Sequence, residues 1–200
     1  MRSTHYAPVP CATSGCTRNA LTGSEHCWEH TEDKQAYLDG LDPLNLENAW
    51  LAGIDLSARD LRGANFAGAR MSGAKLAGAD LGGANLRGTF LDGADLRGAD
   101  LTRADLEFAV LGAANVSEAS FHDANLQRAN LVGAKGRSTD FSCANLYYSR
   151  PGNADFQKAS FADANIQRAI FRRANLAGAD FTGATGQANF ENACLEGAIR

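Results

Sequence analysis

From Leu46 to Phe181 an apolar residue returns at every fifth position without a change of phase, beginning Leu46, Leu51, Leu56, Leu61, Phe66 and Met71. Only Gly136 and Pro151 interrupt the 28 positions of that register. Two residues ahead of each runs a second, small position: between residues 64 and 184 it is Ala in 22 of 25 units, with Thr89, Thr139 and Ser149 the exceptions. The unit is therefore Ala-(Asp/Asn)-(Leu/Phe)-x-x. An α-helix repeats every ~3.6 residues and a strand every ~2, so a strict period of five would scatter the apolar side chains around either element. A solenoid resolves the conflict, because each unit forms one side of a coil and both the large residue and the Ala point inward every time.

Segments such as Ala94-Asp95-Leu96-Arg97-Gly98 and Ala99-Asp100-Leu101-Thr102-Arg103 carry the A-(D/N)-L-x-x signature letter for letter, and the run over residues 44–199 resembles the pentapeptide repeat proteins. The resemblance implies an all-β solenoid, a right-handed quadrilateral β-helix with four repeats per coil. Residues 20 apart then stack on one face at the ~4.8 Å spacing of adjacent strands, and about eight coils give a rod on the order of 38 Å long. Phe121, Phe141, Phe161 and Phe181 fall in one inward column and predict a ladder of stacked rings inside a filled lumen. After Phe181 the units Ala188-Asn189-Phe190 and Ala193-Cys194-Leu195 follow one residue early, so the register slips around Gly186. An apolar last coil with unpaired strand edges invites self-association. The resemblance further implies a homodimer joined end to end through the C-terminal coil.

Residues 1–43 lack the repeat and form a separate N-terminal module. They hold Cys11-x4-Cys16-x10-Cys27-x2-His30, three thiols and an imidazole in two ligand pairs, which reads as a structural zinc knuckle stapling a segment too small to fold alone. His26 is the competing fourth ligand, and unliganded reduced thiols are the alternative. Thr31 is placed to cap a short helix with Glu32 and Asp33 in its first turn, ended by Gly40 and Pro43. The simplest task for this module is to cover the N-terminal end of the solenoid.

With the lumen filled, activity belongs to the outer faces, which the stacking resolves into columns. One is nearly pure amide, Asn45, Asn65, Asn85, Asp105, Asn125, Asn145 and Asn165, and reads as structural. A second is acidic, Asp60, Asp80, Asp100, Asp140 and Asp180, interrupted by Ser120 and Ser160. Some members of the resembled family mimic duplex DNA in the binding saddle of type II topoisomerases and confer resistance to topoisomerase poisons. The resemblance thus offers DNA gyrase as a partner for this column, while the plain reading is that each Asp accepts bonds from turn N–H groups. The least generic residues are an outward stack Phe108, Arg128, Tyr148, Arg168, beside Tyr147 and Arg150. Aromatic and Arg side chains of this kind anchor protein interfaces.

Composition and charge sharpen this picture. The 37 Ala and 21 Gly against only eight Val plus Ile exclude a standard sandwich or doubly wound core. The formal net charge is −4, which excludes a broadly basic nucleic-acid binder. About −3 of it lies in residues 1–43, leaving the repeat region with 17 acidic and 16 basic side chains, far from the one negative charge per ~1.7 Å of duplex DNA. No apolar run approaches the ~18 residues of a membrane span, and Met1 to Pro8 lack the core of a secretion signal, so a cytoplasmic location is expected. His122 and Asp123 have no nucleophile or pocket beside them, and no phosphate-cradling Gly motif occurs. The sequence predicts a non-catalytic scaffold presenting Phe108, Arg128, Tyr147, Tyr148, Arg150 and Arg168 to a protein partner, with no direct binding of nucleic acid.

Overall fold

The computed structural model describes residues 8–200; the reading of the opening segment rests largely on residues 1–7, which lie outside the described residues. From residue 46 onward each pentapeptide makes one side of a four-sided coil. The residue before each central Leu or Phe pairs in parallel with its counterpart 20 residues on, as in Trp50 with Arg70, Asp60 with Asp80, Asn65 with Asn85 and Lys75 with Asp95.

The five backbone N–H groups of a unit each find an acceptor, as buried backbone requires. In the unit centred on Leu86, the Leu86 N–H donates to the Asp105 carbonyl of the next coil at 2.7 Å, and the third-position Gly88 N–H to Glu107 at 2.8 Å. The Thr89 N–H closes a turn onto Leu86 at 3.1 Å, and the Phe90 N–H reaches back to Ala69 at 2.9 Å. That leaves the Arg87 N–H, which donates to the side-chain Oδ1 of Asn85 at 3.2 Å. The Asp or Asn of the repeat is thus the acceptor for the one N–H that no carbonyl reaches. The third turn residue takes a positive φ in every unit, whether Gly88 (61°) or Arg128 (58°).

Leu, Phe and Ala fill the lumen, almost all fully buried. Phe121, Phe141, Phe161 and Phe181 stack at centroid separations of 5.0, 5.0 and 4.8 Å, as the period of five predicts. The break at Gly136 is filled from the coil above: a Cβ there would lie 2.3 Å from the Phe156 ring, so Phe156 occupies the volume that Gly136 vacates. At the second break, Pro151 has no N–H to donate to Ile170, and the Arg150–Ile170 step is absent from the ladder that otherwise runs Phe90, Val110, Asn130, Arg150. The slip also stands. Asn165 pairs with Thr185 at a spacing of 20, but Ile170 with Asn189, Asn175 with Cys194 and Asp180 with Ile199 at 19. Gly186 makes the shortcut feasible, since a Cβ there would sit 2.6 Å from the Gln167 backbone.

Over the first coil lie a short helix α1 (Lys34–Asp39) and two 3₁₀ turns, Trp28–His30 and Pro43–Asn45. Trp28, Tyr37, Leu38 and Leu41 pack against the core. Asp33, rather than Thr31, caps α1, its carboxylate accepting from the Ala36 N–H at 2.9 Å. The Thr31 hydroxyl is turned back toward the preceding 3₁₀ turn instead, donating to the Cys27 carbonyl at 3.0 Å.

Candidate metal centre and interaction faces

A short antiparallel pairing of Pro10 with Asn19 and a bond from the Cys11 N–H to Arg18 bring Cys11 and Cys16 to either side of a tight turn. The 3₁₀ turn after Cys27 swings His30 back over the same spot, with the His30 N–H on the Cys27 carbonyl at 3.0 Å. The ligand atoms of Cys11, Cys16, Cys27 and His30 all lie within 4.8 Å of one another. His30 Nδ1 stands 3.4 Å from both Cys11 Sγ and Cys27 Sγ, and Cys16 Sγ 3.9 Å from Cys27 Sγ. A tetrahedral zinc shell has edges of about 3.8 Å between sulfurs and about 3.5 Å between sulfur and nitrogen, so the donor set fits. The three cysteines are free thiols, and the Cys27 N–H points at Cys11 Sγ at 3.4 Å. His26 is not part of the group. Burial works against the Cys11 thiolate, but bonds from Cys27, Thr13 and His30 outweigh it and hold the thiol down at about 5. The Arg18 backbone favours the Cys16 thiolate, yet burial and the sulfurs of Cys11 and Cys27 push that thiol up. The Cys11 and Cys16 thiols are thus driven in opposite directions by their shared surroundings.

This cluster is tied to the rod. The Thr22 N–H donates to the Trp50 carbonyl at 2.9 Å and the Trp50 N–H returns a bond to the Thr22 hydroxyl at 2.7 Å. The Tyr37 hydroxyl donates to the Thr22 carbonyl at 2.9 Å, and burial pushes that phenol up to about 12.

On the rod the columns separate by what they do for the backbone. The acidic column caps turns: Asp80, Asp100, Asp140 and Asp180 each accept from the N–H two residues on, at 3.0, 2.9, 2.8 and 2.8 Å. The amide column does the same and adds a ladder, Asn85 to Asn65 at 3.1 Å and Asn165 to Asn145 at 3.1 Å. The column beginning at Trp50 abandons this task. It runs Trp50, Arg70, Phe90, Val110, Asn130, Arg150, Ile170, and within it Asn130 makes the bond, to the Val132 N–H at 3.1 Å. Where Arg, Phe, Val and Ile stand in place of Asp or Asn, each gives up a turn bond worth ~0.5–1.5 kcal/mol.

What replaces those bonds is a surface. Arg70 lies between the Trp50 and Phe90 rings at 5.2 and 4.6 Å. On the adjoining corner Arg128 covers Phe108 at 5.4 Å, and Arg168 covers Tyr148 at 5.0 Å while bonding its hydroxyl. Tyr147 packs edge-on against Tyr148 at 4.7 Å. Phe108 is 45% and Ile170 40% exposed. The structure thus brings Phe108, Arg128, Tyr147, Tyr148, Arg150 and Arg168 onto one corner and its adjoining face. Val132, Arg172 and Arg173 share that face and were not singled out by the sequence. A tally of Asp and Asn in each column finds them, since this is the column where the structural residue is missing.

The family profile described as Pentapeptide repeats matches in eight copies, over residues 44–78, 79–117, 114–150 and 152–185. Among solved structures the chain is similar to HetL, a pentapeptide repeat protein involved in heterocyst differentiation regulation from the cyanobacterium Nostoc sp. strain PCC 7120, at 25% identity over 81% of this chain and 92% of that one, with a TM-score of 0.41. It is also similar to QnrB1, a plasmid-mediated fluoroquinolone resistance protein, at 19% identity over 79% and 86% of the two chains, with a TM-score of 0.47. A pentapeptide repeat protein from the Arabidopsis thaliana thylakoid lumen matches at 29% identity over 56% and 66%, with a TM-score of 0.28. No curated protein matches the chain significantly. Among the described residues no helix is long and apolar enough to cross a membrane. With eight repeat copies laid over more than half its length and a four-unit coil in its backbone, the chain belongs to the pentapeptide repeat family, whose members fold as right-handed quadrilateral β-helices.

Proposed function

We propose that this protein is a non-catalytic scaffold of the cytoplasm that presents one face of a rigid rod to a protein partner, with a zinc-stapled cap over its first coil. The observation that carries the reading is the column from Trp50 to Ile170. A lumen packed with side chains offers no substrate site, and a repeat that needs Asp or Asn for its own backbone keeps only Asn130 along this face, the rest being aromatic, aliphatic and Arg residues of the kind that anchor interfaces. Capture of a partner that is lost on Phe108→Ser with Tyr148→Ser, and kept on Asp80→Asn with Asp100→Asn, is the expected result; the reverse pattern sinks the reading. For the cap, Cys11, Cys16, Cys27 and His30 hold a structural Zn²⁺. Metal analysis of the purified chain is expected to give one zinc, and less than about half a zinc per chain would retire the site.

A second reading has its own support in the opposite face. There Asp60, Asp80, Asp100, Asp123, Asp140, Asp163 and Asp180 share the face with Arg59, Arg62 and Arg103, a net negative strip of the kind that imitates a phosphate rail. On this reading the rod modulates or protects DNA gyrase against topoisomerase poisons. A supercoiling assay with purified gyrase, with and without poison, is the test, and an unchanged titration in both excludes it.

The last coil supports a homodimer. Ile166, Phe181, Ala184, Phe190 and Arg200 line an open depression of about 260 Å³ at that end. Light scattering at micromolar concentration is expected to give twice the chain mass, and Phe190→Asp to halve it.

A further inference from the structure

The ion pairs of the rod are unevenly distributed. In the earlier coils Arg62 pairs with Asp60 and Asp80, Lys75 with Asp55, Arg87 with Asp105 and Glu107, Arg97 with Asp95, and Arg103 with Asp123. In the later coils Arg128, Arg150, Arg168 and Arg173 form no ion pair among the described residues, and Arg172 alone meets a carboxylate, Glu191, at 3.3 Å. These four lie together along the face that starts at Trp50 and on its leading corner. On the opposite face, over much the same coils, Asp100, Asp140, Asp163 and Asp180 are likewise without an ion pair. Lys135, Arg137 and Lys158, on the intervening face and its corner with the acidic one, are also without an ion pair, but the Trp50 side gathers the uncompensated Arg groups and the opposite column the uncompensated carboxylates, at overlapping heights along the axis.

We infer that a second copy of this chain docks side by side on the Arg-bearing face and presents its acidic face to it. Both rows are built on the same coil, so their charges recur at multiples of the same ~4.8 Å rise, at every second coil in the Asp100–Asp140–Asp180 and Arg128–Arg168 columns, and two parallel rods stay in register over their whole length. A nucleic-acid strand, with a phosphate every ~3.4 Å along its axis, does not keep that step. The rings that could stack on bases are also covered by guanidinium groups, Phe108 by Arg128 and Tyr148 by Arg168, whereas carboxylates need only the N–H edges of those groups. The two faces differ, so the contact is heterologous and propagates: each docked copy exposes a fresh acidic or basic face, giving open rows. The inference rests on the reading of this face as an interaction surface and names its partner.

Sedimentation velocity of the full chain, carrying its metal, tests it. The Debye length is about 30 Å at 0.01 M salt and about 10 Å at 0.1 M, so exposed pairs act strongly only at the lower concentration. At about 0.01 M the average mass should climb past two chains with rising concentration, and the apparent association constant should fall at least ~10-fold by about 0.1 M. Arg150→Glu with Arg168→Glu, and separately Asp140→Lys with Asp180→Lys, should each abolish the climb, and mixing the two variants should restore it. The Phe190→Asp variant should leave the climb intact, which separates it from an end-to-end dimer that saturates at two chains. A single chain at low salt, association indifferent to salt, or oligo(dT) bound by the Arg face of a rod that stays single would each overturn the inference. Should the rod stay single while a different protein binds in a manner dependent on Phe108 and Arg168, the second copy is excluded and the surface reading stands. Variants that change binding to no partner at all sink that surface reading itself.

Discussion

The early and late coils of the rod solve the same backbone problem with different residues. Between 53 and 98 every third turn position except Ala58 is Gly; between 103 and 173 every one except Gly133 carries a side chain. A left-handed residue with a Cβ costs ~1–2 kcal/mol, so the late coils are strained turn after turn. They also hold the stacked rings: Phe121, Phe141, Phe161 and Phe181 in one column, with Phe171 on Phe190 at 5.2 Å in the column across the lumen. The early lumen is mostly Leu, with Phe66 its single ring. The difference teaches that strain at the corners and aromatic packing inside belong together. Phe108, Arg128, Tyr148 and Arg168 all sit at positive φ, from 55° to 62°, where a repeat built for stability alone would place Gly. Strain of this kind gathers where a surface has work to do.

Removing the compensation should have the largest effect. Phe161→Ala takes a ring from between Phe141 and Phe181 and is expected to cost ~3–5 kcal/mol in urea unfolding, more than Leu81→Ala in the early coils. Equal losses would break the link between rings and strained corners. Next comes the vacated volume: Gly136→Ala drives a Cβ into the Phe156 ring and should cost ~1–3 kcal/mol, with most of the loss recovered by adding Phe156→Leu.

Exchanging the turn residues tests the strain directly. Gly83 has φ +64° and open space around it, so Gly83→Ala should lose ~1–2 kcal/mol through conformation alone. Lys158→Gly, at φ 58°, should gain ~0.5–1 kcal/mol once the freedom of Gly in the unfolded chain is counted. Smaller again is the effect at the Ala positions. Thr89 and Thr139 donate their hydroxyls to the Phe66 and Val116 carbonyls at 2.7 and 2.8 Å, whereas Ser149 Oγ is buried without a partner. Ser149→Ala is therefore expected to stabilise by ~1 kcal/mol, and Thr89→Ala to destabilise by a similar amount. The smallest change concerns the amide ladder. Asn125 donates to Asp105 at 2.9 Å, but a carboxylate cannot donate onward to Asn85. Asp105→Asn should mend the ladder for ~0.5 kcal/mol, read as a rise in melting temperature.

Much of this was legible in the sequence because a period of five has one sensible closure. The ring ladder, the slip near Gly186 and the neighbourhood of Cys11, Cys16, Cys27 and His30 all follow from spacing. The second ring stack, Phe171 on Phe190, was hidden by that slip, since a spacing of 19 does not show in a register of 20. Phe156 filling the space at Gly136 was hidden too, because volume exchanged between coils leaves no mark on the pattern. The helix cap at Asp33 goes with Thr31 being drawn to the Cys27 carbonyl, a contact set by the fold of the cysteine loop. The meaning of the Trp50 column emerged only with the turn bonds, which show what Asp and Asn do elsewhere and hence what their replacement gives up.

A coil of four units also sets which changes in length such a protein tolerates. Insertion or deletion of 20 residues within the rod adds or removes a whole storey and leaves every column straight. Deletion of a single unit, such as residues 131–135, turns everything beyond it by a quarter, and Arg150 and Arg168 then face away from Phe108 and Arg128. The molecule works like a combination lock: its outer faces can be realigned by five-residue steps while the lumen, which sees the same Ala and Leu or Phe at every step, is left nearly unchanged.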